Sequence, residues 1–156
     1  MKDAYVDIKA KLSNNKNVII GIQVLNVEGF EKRILYNAAK AYSSQLQKTE
    51  TFATLEPIIA LTITDFKMFE EIENIITYFK LIEKDKLIKY SDEIELIFIE
   101  LPKFTEDEED LISITDKWIY FIKNTGTLEY IPRELVEEVE MRKAFEIANT
   151  AGMNKE

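Results

Sequence analysis

The stretch from Tyr5 to Leu25, YVDIKAKLSNNKNVIIGIQVL, decides the fold. Two aliphatic runs flank the polar break SNNKN at residues 13–17, a composition typical of a hairpin between two β-strands. The first run alternates aliphatic with charged residues, which predicts that one side faces a core and that Asp7 faces the other way. The predicted core set is Val6, Ile8, Ala10 and Leu12.

The polar residues of the two strands are predicted to share one patch. With the turn centred on Asn14 and Asn15, Asp7 lies opposite residues 21 to 23, within one residue of register. Asp7, Gly21 and Gln23 then lie close together. A glutamine inside the run IIGIQVL requires a hydrogen-bonding partner, because an unpaired amide is costly to bury.

Length and composition exclude several classes of protein. The 156 residues suit one domain and include no Cys and no His. Disulfides, thiolate metal sites and the Ser-His and Cys-His hydrolases are therefore excluded, and any metal would be a hard cation held by oxygen atoms. No apolar run reaches the roughly twenty residues of a membrane span, and no signal-peptide pattern opens the chain. We expect a cytoplasmic protein.

The charge is unevenly distributed. The net charge of −9 argues against a general nucleic-acid coat. Residues 1–50, however, contain eight basic and five acidic residues, a net charge of +3, which leaves −12 for the remainder. The first third is thus suited to meet a polyanion such as DNA, although charge differences of this size are also common on solvated surfaces.

Hydrophobic periodicity predicts a mixed α/β fold. A helix from about residue 30 to Gln47 places apolar residues at steps of four, with Leu35 and Ala39 widening the buried stripe. Strands are predicted at residues 58–66, 74–82 and 93–101, the first of them central. The predicted order is β-β-α-β-β-β-α-α, a central mixed sheet flanked by helices in one domain over residues 1–156, with a core at about 4–104.

The C-terminal part, about residues 105–150, is predicted to be helical. Thr105 followed by five acidic residues suggests a helix N-cap with acids in the first turn, and Leu111, Ile114 and Trp118 then form an apolar stripe. The acidic run lacks the alternating ligand spacing of a calcium loop. A last helix is predicted from near Pro132 until Gly152.

Several segments, in order, resemble one protein family. The chain is similar to the recombination-promoting nuclease and transposase family of the PD-(D/E)XK nuclease superfamily, over about residues 5–124. The short Asp to Glu-x-Gln motif alone is a weak signal. The assignment is specific because several matching segments occur in the order of the family. The matching segments are VDIKA (6–10), IGIQ (20–23), FEKRILY (30–36), AYSSQL (41–46), PII (57–59) running into Asp65-Phe66, FIELPKF (98–104) and WIYFIKN (118–124).

The resemblance implies a restriction-endonuclease-like core and Mg²⁺-dependent cleavage of DNA. In this chemistry, carboxylates on adjacent strands hold one Mg²⁺, which polarises the phosphate and generates hydroxide. By position, the metal-binding Asp carries over to Asp7 and the Gln to Gln23. Gly21 stands where the family has its Glu. The family also carries several tens of residues before the Asp strand, so this chain resembles a truncated, degenerate member.

The resemblance leaves three functional hypotheses. The first is a nuclease fold with impaired cleavage, in which Mg²⁺ is held poorly because glycine offers no oxygen ligand. The second is an active endonuclease in which Glu28 or Glu31 replaces the missing acid, although the helix dipole also explains acids at a helix start. The first hypothesis includes a role as a non-catalytic partner in a homo-oligomer or in a hetero-oligomer with an intact homologue. The third sets the resemblance aside and describes an unrelated α/β interaction module whose acidic C-terminal two-thirds meets a basic partner. The candidate DNA contacts are Lys9, Arg33, Tyr36 and Lys40, with a solvated helix face as the alternative for the helical ones.

Overall fold

The chain folds into two compact units, Met1–Lys103 and Phe104–Glu156. The computed structural model describes residues 6–14, 16–23, 27–48, 50–128, 130 and 132–153, without the side chains of residues 6, 7, 23 and 149–153. Val24 and Leu25, at the end of the second predicted strand, lie outside the described residues. The boundary between the two units lies next to residue 104, the predicted end of the core. The assignment of residues 1–156 to one domain stays a prediction.

The first unit is built on a five-stranded mixed sheet of order β1-β2-β3-β5-β4. The pairs β1/β2 and β4/β5 are antiparallel, and β2/β3 and β3/β5 are parallel. The helix α1, Phe30–Ser43, connects the parallel neighbours β2 and β3, as a parallel pair requires. The strands are β1 Val6–Lys11, β2 Asn17–Gln23, β3 Ile58–Thr64, β4 Ile76–Ile82 and β5 Lys89–Glu100.

The core of this unit lies between α1 and one face of the sheet. Phe30, Ile34 and Ala38 are spaced by four residues, so they form one helix stripe, and all three are buried. The sheet contributes Ile58, Ala60 and Phe98 to the same cluster. The predicted α/β class and the central position of β3 are confirmed.

Two groups of aliphatic residues that are predicted to be buried are exposed instead. Ile8, Ala10 and Leu12 are exposed rather than buried, because β1 is the edge strand and α1 packs over β3 and β5. The side chain of Val6 lies outside the description. Leu35 and Ala39 are exposed as well, so the buried stripe of α1 is narrower than predicted.

The helix α1 also ends earlier than predicted. It stops at Ser43 rather than near Gln47. Just beyond this end, the side-chain amide of Gln45 donates to the Glu56 carbonyl at 2.8 Å and accepts from the Glu56 backbone N–H at 2.9 Å. This pairing holds the chain after α1 against the entry to β3.

The strands β4 and β5 form a hairpin that is longer than predicted. The strand predicted at residues 93–101 begins earlier, at Lys89. The register of the pair is irregular on both sides of Leu81. The strand β4 lies at the edge of the sheet. An irregular register and a charged residue such as Lys80 both limit the pairing of an edge strand with another chain.

A buried ion pair holds the end of β5. Glu100 is fully buried, and its carboxylate accepts from the Lys103 ammonium at 2.6 Å and from the backbone N–H groups of Met68 and Phe69. Lys103 also donates to the carbonyls of Phe69 and Ile72. The segment after β3 is a loop that this network fixes.

The second unit contains three α-helices among the residues that the structure describes. They are α2 Ile114–Asn124, α3 Arg133–Val136 and α4 Val139–Met153. Its buried residues include Leu111, Ile119, Phe121, Leu135 and Met141. Within the described ranges, none of the chain's helices combines the length and apolar character needed to cross a membrane.

The predicted boundaries in this unit need correction. Thr105 is not a helix N-cap, since α2 begins after Ser113, whose side chain and backbone exchange hydrogen bonds with Asp116 in a capping box. Ile114 is 49% exposed and does not belong to the buried stripe. The predicted last helix is split into α3 and α4 after Val136, and Gly152 lies within α4 rather than ending it.

Removing Lys103 is expected to destabilise the first unit strongly. Lys103→Met leaves the Glu100 carboxylate buried without its counter-charge, so the free energy of unfolding should fall by about 3–5 kcal/mol. Urea unfolding followed by circular dichroism measures this change. Lys89→Met is the matched control, since both side chains of the Lys89–Asp92 ion pair are exposed and the loss of such a pair costs about 1 kcal/mol or less. Equal losses in the two variants would contradict the assigned role of Lys103.

Candidate functional site

The hairpin of β1 and β2 sets the register of the site. The Leu12 N–H donates to the Lys16 carbonyl at 2.9 Å, and the Asn14 side chain accepts from the Lys16 N–H at 3.2 Å. These bonds close the turn and pair Asp7 with Gly21 across the strands. The predicted pairing of Asp7 within residues 21–23 is confirmed.

The sheet extends this pairing into two rows of residues. Gly21 pairs with Thr62 and Thr62 with Phe98, so positions 7, 21, 62 and 98 form one row. Two residues further along the strands, Gln23 pairs with Thr64 and Thr64 with Glu100 in a second row. Both rows have the parity of Ala60, which packs on α1. The backbone therefore brings the positions of Asp7, Gly21 and Gln23 together, while the side chains of Asp7 and Gln23 lie outside the description.

A cavity of about 30 Å³ lies beside Gly21, between α1 and strands β2 and β3. Its polar lining comes from Arg33 and Asn37 of α1 and from Thr62 of β3. The Arg33 guanidinium carbon lies 5.2 Å from the centre of the Phe30 ring, a cation–π distance that orients the group over the ring. The apolar lining is formed by Ile19, Phe30, Ile34, Ala38, Ala60 and neighbouring backbone.

The four predicted DNA-contacting residues occupy different surroundings. Arg33 is half-buried at the cavity, next to Gly21. Tyr36 and Lys40 are exposed on α1, and the Lys40 ammonium lies 6.0 Å from the Tyr36 ring centre. Lys9 is exposed on β1. The structure thus brings Arg33, but not Tyr36 or Lys40, to the cavity beside Gly21.

Lys9 lies instead in a larger groove of about 330 Å³ between β1 and the C-terminal half of α1. Lys11, Asn17, Ser44 and Gln45 line the same groove. Sequence reasoning did not select Lys11 or Asn17. A signal was present, because Lys9 and Lys11 alternate with aliphatic residues and so share one side of β1 with Asp7.

Glu56 moderates the positive charge of this groove. Its carboxylate accepts from the Lys11 ammonium and from the Asn17 amide, each at 3.0 Å. These hydrogen bonds, led by the one from Lys11, lower the pKa of Glu56, so the carboxylate stays ionised at neutral pH. Of the two lysines that line this groove, Lys11 is thus paired with an acid.

The carboxylates considered as replacements for the missing acid do not line the cavity. Glu28 and Glu31 are exposed, and neither belongs to the residues that border the cavity. Glu100, which sequence reasoning did not select, is buried in the row of Gln23 and Thr64. Its oxygens already accept hydrogen bonds from Lys103, Met68 and Phe69. Glu100 therefore has a structural role.

The described residues do not fit a magnesium site. Mg²⁺ requires several oxygen ligands in near-octahedral geometry, whereas Gly21 offers no side-chain oxygen. Within the part of the chain that the structure describes, no three Asp, Glu, His or Cys residues come together in a way that could hold a metal ion. The polar groups that the described residues place around the cavity are the Arg33 guanidinium, the Asn37 amide and the Thr62 hydroxyl.

Comparison with known proteins identifies the family. No curated protein and no solved structure matches the chain significantly. The family model of the PD-(D/E)XK nuclease family transposases matches residues 1–156. The mixed sheet with flanking helices is consistent with the restriction-endonuclease-like domain of this superfamily. Because the match extends over the whole sequence, the chain belongs to the PD-(D/E)XK nuclease family transposases.

Proposed function

We propose that this protein binds DNA but cleaves it poorly or not at all. The observation that carries the proposal is the pairing of Asp7 with Gly21, at the position where the family resemblance places a metal-binding Glu. A glycine there removes one of the two carboxylates that would hold the catalytic cation. The residues that border the neighbouring cavity, as far as they are described, provide no acid in its place.

The chemistry of the family explains why this loss is severe. When bound, a divalent cation supplies the Lewis acid and the activated water for phosphodiester cleavage. Asp7 alone would hold such an ion weakly, because Mg²⁺ gives up its hydration shell reluctantly. Gln23 would orient a nucleophile only if that ion were in place. The remaining residues of the site are suited to holding a phosphate rather than to cleaving it.

DNA binding is supported by the basic residues around this site. Lys9 borders the groove between β1 and α1, and Arg33 borders the cavity beside Gly21. Lys40 is exposed on the same helix as Arg33. These cations belong to the first 50 residues, the part with net positive charge. Phosphate contacts of this kind position DNA without reading its sequence, so we expect weak, salt-dependent binding without marked sequence preference.

The relocated-acid alternative receives less support from the geometry. Glu28 and Glu31 are exposed and lie outside the set of residues that border the cavity. Glu31 is in the first turn of α1, where a negative charge is favoured by the helix dipole. An active enzyme would require one of these carboxylates to move into the cavity when DNA or metal binds.

Cleavage by the wild-type protein is expected to be undetectable above background. Supercoiled plasmid incubated with protein and Mg²⁺ or Mn²⁺ should nick at the same rate with wild type and Asp7→Asn, because the carboxylate pair that would hold the metal is incomplete. Gel electrophoresis of the relaxed form measures the rate. Nicking by wild type that Asp7→Asn abolishes would refute the proposed loss of cleavage.

Restoring an acid opposite Asp7 is expected to create metal binding. Gly21→Glu should raise the affinity for Mn²⁺ by at least about tenfold, since even groups that only support metal ligands are worth about 10–100-fold. Isothermal titration calorimetry measures the affinity, and plasmid nicking tests whether activity returns. Gly21→Gln is the control of equal size without charge. If Gly21→Glu is folded and binds Mn²⁺ no better than Gly21→Gln, the assignment of position 21 is wrong.

The basic groove is expected to contribute phosphate contacts. Lys9→Gln should weaken binding to duplexes of unrelated sequence by a similar factor and reduce the slope of log K against log salt by about 1. Fluorescence anisotropy at several salt concentrations measures both quantities. Lys84→Gln, at the exposed tip of the β4–β5 hairpin, is the control of equal charge. If both variants weaken binding equally, only net charge matters and the groove is not the site.

A further inference from the structure

The hairpin of β4 and β5 ends in a segment that extends past the rest of the sheet. The strand β5 pairs with β3 from Ile94 to Glu100, whereas β4 continues to pair with β5 at Ser91 and Lys89. Residues 81–91 therefore form a two-stranded ribbon with no third strand beside it in the described part of the chain. We propose that this ribbon, the arm, is the surface through which two copies of the chain form a homodimer.

Every large apolar side chain of the arm is exposed to solvent. Leu81 and Ile82 are neighbours on β4, so their side chains point to opposite faces of the ribbon. A two-stranded hairpin is at best marginally stable in water unless it packs against another element. The arm therefore gains stability from a partner that covers it. The exposed fractions are 50% for Leu81, 50% for Ile82, 69% for Leu87, 59% for Ile88 and 83% for Tyr90.

The backbone at the tip of the arm supports a role for the side chain of Leu87. Leu87 has a φ of 55°, in the left-handed region, where Gly or Asn is favoured over residues with a larger side chain. The turn around it is well formed, because the Glu83 N–H donates to the Ile88 carbonyl at 2.7 Å. The Glu83 carboxylate also accepts from the backbone N–H groups of Asp85 and Lys86. Leucine thus strains the tip of the monomer, and burial of its side chain against a partner offsets that strain.

The charges of the arm favour a second copy of the chain as the partner. The arm contains three lysines and two acids, a net charge of +1, in a chain whose net charge is −9. Lys84, Asp85 and Lys86 follow one another at the tip. In a two-fold dimer the same segment is supplied by both chains, so each arm offers lysines to the partner's acids and acids to its lysines. A polyanion such as DNA would be met by lysines alone.

The apolar area of the arm is sufficient for a small dimer interface. A large side chain has about 150–250 Å² to bury, so the five exposed side chains together present roughly 500–750 Å². Two arms then bury on the order of 1,000–1,500 Å², at the lower end of specific interfaces. Side chains make this contact rather than added strand pairing, because Lys80 and the irregular register of β4 oppose such pairing. We expect a Kd on the order of 1–100 μM for an interface of this size.

Sedimentation of the full chain tests the proposal. From about 1 μM to about 500 μM protein the mass should rise from 18.2 kDa towards twice that value, as mass action requires. Leu87→Asn removes the apolar tip but suits the left-handed backbone, so it should fold at least as well as the wild type and weaken the dimer by at least about tenfold. Ile88→Asn should weaken it by a similar factor. Phe52→Asn is the matched control, since Phe52 is 82% exposed in the same unit but lies outside the arm, and it should leave the Kd unchanged.

A further variant tests the charge of the arm. Asp85→Lys makes every charge of the run from Lys84 to Lys86 positive, so two arms should repel each other and the dimer should weaken. Thermal unfolding of each variant at about 1 μM, a concentration at which the chain is mainly monomeric if the Kd is as expected, checks that the fold is retained.

Several outcomes would overturn the dimer contact. A mass that stays at 18.2 kDa up to the highest concentration would exclude it. A dimer whose Kd is the same in Leu87→Asn and Ile88→Asn as in the wild type would use another surface. Equal weakening by Phe52→Asn would show unspecific association of apolar residues, and a tighter dimer in Asp85→Lys would contradict the pairing of charges. None of these measurements uses DNA, so a failure of the DNA-binding proposal would leave them unaffected.

Discussion

The packing of α1 on the central strands is the constraint on which the first unit depends. Ala38 and Ala60 are both almost completely buried at this contact, and their small size lets the helix lie close to the sheet. Phe30, Ile34 and Phe98 fill the space around them. Replacing either alanine by a larger residue would force the helix outward, because well-packed interiors tolerate added volume poorly. The same close contact brings Arg33 and Asn37 next to Gly21.

This arrangement gives the missing side chain at position 21 two consequences. The first is that position 21 offers no side-chain oxygen opposite Asp7, which underlies the proposed weakness of DNA cleavage. The second is an open space under α1 that is bordered by donors and by a positive charge. The polar groups that border this space come from other elements of the fold, Arg33 and Asn37 from α1 and Thr62 from β3.

The buried Glu100 contributes to this site indirectly. Its pairing with Lys103 and with the backbone of Met68 and Phe69 fixes the loop after β3 and the end of β5. The row of Gln23, Thr64 and Glu100 therefore has one end held firmly in the interior. The buried carboxylate would be unfavourable alone, and it is accommodated because every partner lies within the same compact unit.

Local sequence determined the hairpin, its register and the helical stripe of Phe30, Ile34 and Ala38, because turn composition and side-chain periodicity act over short distances. The order of the matching segments determined the family. The tertiary structure alone decided which aliphatic residues of β1 are buried, where α1 ends and that Ser113 rather than Thr105 caps α2. It also decided that Arg33 meets Gly21 and that Glu100 meets Lys103. These outcomes depend on which strand lies at the edge and on contacts between residues far apart in the chain, such as Gln45 with Glu56. Periodicity carries no information about them.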